Sequence, residues 1–214
     1  MEITWLGNAC TRVRTRQAIV LMDPYQREAG LDMGRPTADI ITVSHDDPRH
    51  GNVAGVRSSA LVISAPGEYE VQGVQIIGVR SALRAPAGAD AAEGAQPERS
   101  TVYLVEAEGL HVAHLGAVGR QPSAAEAELL SNADILVIAL GEDGLTPDEA
   151  ARTVRALEPT IIIPVGYSGA ADDPVLKAFL TAAGIAVELP IARLSVQGRA
   201  ATEAQRVVLL EPRG

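Results

Sequence analysis

The strongest constraint on the fold is a change of grammar along the chain. Toward both ends the sequence runs in brief β-prone stretches divided by turn residues, whereas in the middle such stretches alternate with helix-start signals. Ile3–Leu6, Cys10–Arg14 and Ala18–Met22 read as short strands, split by Gly7-Asn8 and Thr15-Arg16-Gln17 and closed by Asp23-Pro24. Gln26–Thr37 carries Gly30, Gly34 and Pro36 and reads as a loop. Ile40–Val43 and Ala60–Ser64 are further strands, and Val71–Val79 alternates around Gly73 and Gly78 like a hairpin. Thr101–Glu106 and Leu110–Leu115 make a second hairpin across Glu108-Gly109.

Helices enter after that point. Ser123 opens one through Leu130, with Glu126 placed to complete a capping box. Thr146 caps a second, with Pro147 at its first position, and Asp173–Ala183 forms a third that stops at Gly184. Ile135–Leu140 and Ile161–Val165 are strands between them, and Val187–Pro190, Ala192–Val196 and Arg206–Leu210 return to strand. Two facing sheets covered outside by helices satisfy this order, an α/β class chain built as a four-layer αββα sandwich. With 214 residues and a hydrophobic fraction of 47%, residues 1–214 suffice for a single domain with a full core. Aromatic residues are only 3%, so that core is built from Ala, Val, Ile and Leu. Residues 84–99, dominated by Ala, Gly, Pro and acidic side chains, predict a mobile loop within it.

The candidate site follows the strand Ile40–Val43, which ends abruptly in Ser44-His45-Asp46-Asp47-Pro48-Arg49-His50. A buried strand delivers side chains to a site at its C-terminal tip in this way. His45 and His50, five residues apart with Asp46 and Asp47 inside, form a donor set that a divalent metal can use. Against that, Pro48 stiffens the loop and Arg49 puts a permanent cation in the space a metal needs. The guanidinium of Arg49 is therefore expected to replace the metal's charge, holding Asp47 together with Asp23 or Asp46. His114 reads as a structural residue at a strand end. Tyr167 lies in a loop with Gly166 and Gly169 that offers backbone N–H donors to a polar or anionic group. Cys10 is expected to be a small buried apolar residue. No nucleophile elbow or Ser-His-Asp order is present in the sequence.

Asp39–Asn52 resembles the signature loop of the metallo-β-lactamase superfamily, which reads His-x-His-x-Asp-His after a buried strand. Matched to it, His45 and His50 are the first and last histidines, Asp47 stands in place of the middle one, and Arg49 in place of the aspartate. Nearly the whole chain is similar to the branch of small Zn-dependent hydrolases that resemble ascorbate-6-phosphate lactonase. The similarity is carried by Trp5-Leu6-Gly7-Asn8-Ala9-Cys10, with Asn8 where a histidine is usual, and by Asp23-Pro24. It continues through Pro66-Gly67-Glu68-Tyr69-Glu70 with Gly73-Val74, His114-Leu115-Gly116, and Ile163-Pro164-Val165-Gly166-Tyr167. The resemblance implies the αββα sandwich of that superfamily and hydrolysis assisted by one or two divalent ions, with Asp23 an inherited buried acceptor for backbone N–H groups and Glu68 a side chain lining the cleft. It also implies a depleted ligand set: Ser81-Ala82-Leu83 where a histidine follows the hairpin, Ala117 for the bridging aspartate, and Gly166 for the final histidine.

Charge and composition set the partners. A net charge of -9 disfavours nucleic acid and anionic membranes. One cysteine excludes an internal disulfide, no segment reads as a signal peptide or membrane span, and a reducing cytoplasm is the expected location. Three functions remain. The first is a non-catalytic protein with no metal cofactor, keeping its cleft for a small polar ligand or partner. The second is a zinc-dependent hydrolase of a lactone or phosphoester, with a mononuclear site on His45, Asp47 and His50. The third is a structural subunit of a homo-oligomer.

Overall fold

The computed structural model describes residues 1–29, 31–83, 99–142, 144–198 and 204–213. Its strands are β1 (Glu2–Trp5), β2 (Thr11–Arg14), β3 (Ile19–Met22), β4 (Ile40–Thr42), β5 (Leu61–Ile63), β6 (Gly67–Val71), β7 (Val74–Ala82), β8 (Arg99–Ala107) and β9 (Leu110–His114). After them come α1 (Ala124–Leu130), β10 (Ile135–Ala139), α2 (Pro147–Leu157), β11 (Ile161–Val165) and α3 (Pro174–Ala183). Three two-residue strands follow: β12 (Ala186–Val187), β13 (Leu194–Ser195) and β14 (Arg206–Val207). One sheet has the order β13-β1-β2-β3-β4-β5 and the other β12-β14-β11-β10-β9-β8-β7-β6.

The period-two alternation of β3 and β4 explains why the sheets face each other. Val20, Met22 and Ile40 join the large core shared with the second sheet, while Leu21, Ile41 and Val43 point the other way into a smaller cluster with Leu6, Cys10, Tyr25 and Met33. In the second sheet β10 and β11 are parallel and buried at every residue. Such strands need cover on both faces and a crossover helix between them. α2 supplies it, placing Ala150, Ala151, Val154 and Leu157 in the same core that receives Leu176 and Phe179 of α3.

The helix starts follow their local signals. Ser123 with Glu126 and Thr146 with Glu149 form reciprocal capping boxes, and Asp173 Oδ1 accepts from the N–H groups of Val175 and Leu176. Outside the first sheet the cover is thinner: two single 3₁₀ turns, Arg27–Ala29 and Val53–Gly55, with their flanking loops. Gly34, Pro36, Pro48 and Gly51 punctuate these segments too closely for an α-helix to propagate. The αββα order expected from sequence is thus realised with 3₁₀ turns in one outer layer.

Other boundaries moved. The first hairpin of the second sheet turns at Gln72-Gly73 between β6 and β7, so Gly67–Val71 is a strand in its own right. The predicted loop 84–99 falls outside the described residues except for Arg99, which already begins β8. Among the described residues, no helix is long and apolar enough to cross a membrane.

Candidate functional site at the strand tips

Parallel β3 and β4 end side by side, which brings Asp23 next to the loop that begins at Ser44. Asp23 adopts a left-handed backbone conformation, φ 51°, and its N–H donates to the Thr42 carbonyl at 2.9 Å. This turn folds its carboxylate back under the β4 tip. Asp23 Oδ1 accepts from Ser44 N–H at 2.7 Å, and Oδ2 accepts from the Ser44 hydroxyl at 2.6 Å and from His50 Nδ1 at 3.0 Å. The carboxylate is fully buried, and Ser44 and His50 are each 3% exposed. Burial pushes the Asp23 pKa up, but the hydrogen bond and charge of His50, the field of His114 and the Ser44 hydroxyl outweigh it, leaving the pKa below the ordinary carboxylate value.

The loop that carries His50 is fixed by its backbone. Asp47 Oδ1 accepts from Arg49 N–H at 2.6 Å, and the Asp47 carbonyl accepts from the N–H groups of His50 and Gly51. Pro48 O and Pro24 O accept from Gln26 and Asn52, tying this loop to the segment after β3. The Arg49 Nη1 lies 3.9 Å from Glu142 Oε2. Here the structure departs from the sequence expectation for Asp23: its carboxylate is held by Ser44 and His50, because the β3 turn points it inward rather than toward the Arg49 side chain.

His114, at the end of β9, is the fourth polar group of this buried cluster. Its Nε2–H donates to the Ala9 carbonyl at 2.8 Å, and among the described residues its Nδ1 has no hydrogen-bond partner. Burial lowers its pKa more than the Asp23 charge and the Ala9 carbonyl raise it, so the imidazole is neutral at pH 7. Cys10 is buried as expected, and burial together with the Asp23 charge pushes its thiol pKa well up.

The second sheet reaches across to this site. Thr101 N–H donates to the Ser44 carbonyl at 2.8 Å, Ala117 N–H to the Ser44 hydroxyl at 3.2 Å, and Gly166 N–H to the Asn8 carbonyl at 2.9 Å. Asn8 Nδ2 donates to Ala29 O, and Trp5 Nε1 to Asn8 O at 2.7 Å. Between these ties lies a pocket of about 20 Å³ lined by Asn8, Ala9, Arg49, His50, Ala139, Leu140 and Gly166, room for about one water. Tyr167 turns away from it and stacks on Trp5, with ring centroids 4.9 Å apart. Glu68 is exposed on the edge strand β6, outside the cluster. His45 and the exposed Asp46 line a separate groove on the other side of the β4 tip, where His45 Nδ1 lies 3.3 Å from the Arg99 carbonyl.

Of the residues the sequence assigns to the candidate site, Asp23, His50 and His114 come together here, whereas His45 and Asp46 line another groove and Glu68 and Tyr167 lie apart; Ser44 and Gly116 carry no role in the sequence reading. A Cβ on Gly116, φ +55°, would overlap Ser44 Cβ and stand 2.9 Å from Asp23 Oδ2. Its signal was present in Leu115-Gly116, the strand-end glycine facing the Asp23-Pro24 turn. The chemistry of the arrangement is that of a saturated carboxylate. The Ser44 proton goes to Asp23 rather than to an imidazole, and the hydroxyl is buried, so Ser44 is not a nucleophile of the serine-hydrolase kind.

The family described as Beta-lactamase superfamily domain matches residues 2–166. Among solved structures, the chain is similar to a proposed Zn-dependent hydrolase of the metallo-β-lactamase superfamily from Thermotoga maritima, with 26% identity over 98% of each chain and a TM-score of 0.76. A proposed metal-dependent hydrolase from Parabacteroides distasonis shares the fold at 20% identity over 84% of this chain and 86% of that one, TM-score 0.64. The metallo-β-lactamase fold protein YhfI from Bacillus subtilis does so at 10% identity over 100% and 97%, TM-score 0.61. No curated protein matches the sequence. With the family covering residues 2–166 and the two-sheet architecture in place, this chain belongs to the metallo-β-lactamase superfamily.

Proposed function

We propose that this chain is a non-catalytic member of the superfamily, in which side-chain charges take the place of a metal centre and the region around the β4 tip receives a small polar ligand. The observation that carries the reading is the divergence of the two loop histidines, since His50 and His45 line two different cavities; the His50 Nδ1 bond to Asp23 alone would be equally at home beside a metal. Hydrolysis in this superfamily draws on metal ions that acidify a bound water, and such an ion needs three or more protein donors converging on one point. Among the described residues, no group of three or more His, Cys, Asp or Glu side chains is placed to hold one. The chain has Ala117 and Gly166 where the family resemblance calls for ligands. A side chain at Gly166, φ +79°, would meet Leu140 O at 3.0 Å, so the backbone there is closed against a larger residue. These donors do not fit a divalent ion held in the family's manner.

A second reading, a metal-dependent hydrolase on His45, Asp47 and His50, is favoured by what the Thermotoga maritima and Parabacteroides distasonis proteins are proposed to be. One measurement separates the two. The purified chain is stripped with chelator, exposed to excess Zn²⁺, Mn²⁺ or Fe²⁺, dialysed and assayed for metal. Our reading expects far less than one equivalent. One equivalent retained by the native chain and lost in His45→Ala and His50→Ala overturns it in favour of the hydrolase.

A further inference from the structure

The pocket beside His50 has room for little more than a water, so a ligand must sit elsewhere. The larger space lies past His45. A groove of about 610 Å³ opens there among the β4 tip, the β5–β6 connection and the β7–β8 ladder. That is the volume of ordinary small-molecule sites, about 300–1,000 Å³. Its walls combine apolar Val43, Val62 and Pro66 with His45, Arg80 and Arg99.

The two arginines are brought together by register. Arg80 stands opposite Thr101, and Arg99 opposite Ala82. Positions 80 and 82 share a face of β7, so both guanidinium groups project from one face as diagonal neighbours. Among the described residues, neither side chain has an ion-pair or hydrogen-bond partner. Both are exposed, and among the described residues the carboxylate in the lining is that of Asp46. Two like charges on one sheet face repel each other, and a bound anion would relieve that repulsion while accepting bidentate hydrogen bonds. In a chain of net charge -9, such a local excess of cations is set apart from its surroundings.

We propose that this groove binds a small organic anion, its carboxylate or phosphate held by Arg80 and Arg99 and its body lying against Val43, Val62 and Pro66. The inference rests on reading the β4 tip as a ligand site, and it is independent of whether a metal binds. His45, whose ring Nδ1 lies 3.3 Å from the Arg99 carbonyl, lines the groove together with the strand tip.

The test uses the full, metal-stripped chain, titrated with sodium phosphate or sodium benzoate against sodium chloride of equal ionic strength. The readout is the arginine Nε–H resonances. The expected result is saturable shifts of Arg80 and Arg99 with phosphate or benzoate and none with chloride, the tighter probe identifying the anion type. Arg80→Gln with Arg99→Gln should weaken binding at least tenfold, and the exposed Arg57→Gln should leave it unchanged. Shifts that follow ionic strength alone, or full affinity in the double variant, overturn the proposal. Metal content is read in a separate assay, so stoichiometric zinc would remove the non-catalytic reading while leaving the anion titration to stand or fall by itself.

Discussion

His50 Nδ1 stands 3.0 Å from Asp23 Oδ2, a contact that joins the loop after β4 to the turn after β3 beneath the protein surface. Asp23 has no exposed surface and His50 almost none, so each serves as the other's solvent. With Ser44 supplying two more donors, every hydrogen bond to this carboxylate from a described residue comes from the β4 tip and its loop.

Asp23→Asn should therefore be severe despite its near-identical shape. The amide has one acceptor oxygen where three donors converge, and its NH₂ would face a donor at Ser44 or His50. Leaving buried donors without their charged acceptor costs about 1–3 kcal/mol or more. Urea denaturation of the variant should show a loss of that size, and a loss below about 1 kcal/mol would mean the cluster is not held by charge.

The same cluster sets the response to acid. The folded pKa of Asp23 is depressed from 3.8, so its contribution is complete above that value and is lost as pH falls toward the lower folded pKa. The folded pKa of His114 is also depressed, from 6.5, by burial. Below 6.5 the unfolded imidazole takes a proton that the folded one refuses, so stability declines as pH falls through this window. The decline from His114 is at most about 1.4 kcal/mol per pH unit. Urea midpoints between pH 7.5 and 5 should fall, and His114→Gln, which keeps a donor for Ala9, should flatten the slope.

How much of this was legible beforehand depended on the range of the interaction. The buried strand at Ile40–Val43, the capping box at Ser123 and the helix cap at Thr146 follow from neighbours a few residues away and are legible in the sequence, while the burial of Asp23 is legible through the family's Asp-Pro motif. Ser44 donates to Asp23 across the β3–β4 tips, and its carbonyl and hydroxyl accept from the Thr101 and Ala117 N–H groups of the other sheet, contacts that no neighbour in sequence announces. Arg80 and Arg99 become neighbours only through the β7–β8 register, across a long intervening segment whose composition carries no register information. Glu68 was misjudged as a cleft residue for the converse reason: the hairpin turn lies at Gln72-Gly73, which places Glu68 on the sheet edge. Arg49 was given Asp23 as a possible partner by proximity in sequence pattern alone, and the positive φ at Asp23 sends that carboxylate elsewhere.

Gly116 offers a comparison with an internal control. An alanine there must adopt φ +55° and place its Cβ 2.5 Å from Ser44 Oγ. Gly109, φ +73°, has the same backbone demand with nothing within 4 Å. Gly109→Ala should cost only the left-handed penalty, about 1–2 kcal/mol. Gly116→Ala should add an overpacking term of about 1–3 kcal/mol and displace Ser44 from Asp23. Equal losses in the two variants would show that the approach of Leu115-Gly116 to the β4 tip is loose.

Tyr103 ties the sheets at the point where the site begins. It lies on β8, fully buried, with its hydroxyl 2.9 Å from Val43 O and 3.1 Å from Ile63 O, both carbonyls of the first sheet. Burial, with the Asp23 charge added, raises its pKa above the ordinary phenol value, so the hydroxyl stays protonated and donates. Tyr103→Phe keeps the ring and its packing but removes that donor from two carbonyls at the adjoining tips of β4 and β5. The expected loss is about 1–2 kcal/mol, the cost of leaving a buried acceptor unsatisfied. Because Val43 directly precedes Ser44, the variant should also loosen the Ser44 N–H that Asp23 holds, and hydrogen exchange at that amide should quicken relative to amides of β10 and β11. If exchange at Ser44 is unchanged while stability falls, Tyr103 acts through packing alone, and the strand tips are fixed by Asp23 and the Thr101 backbone without it.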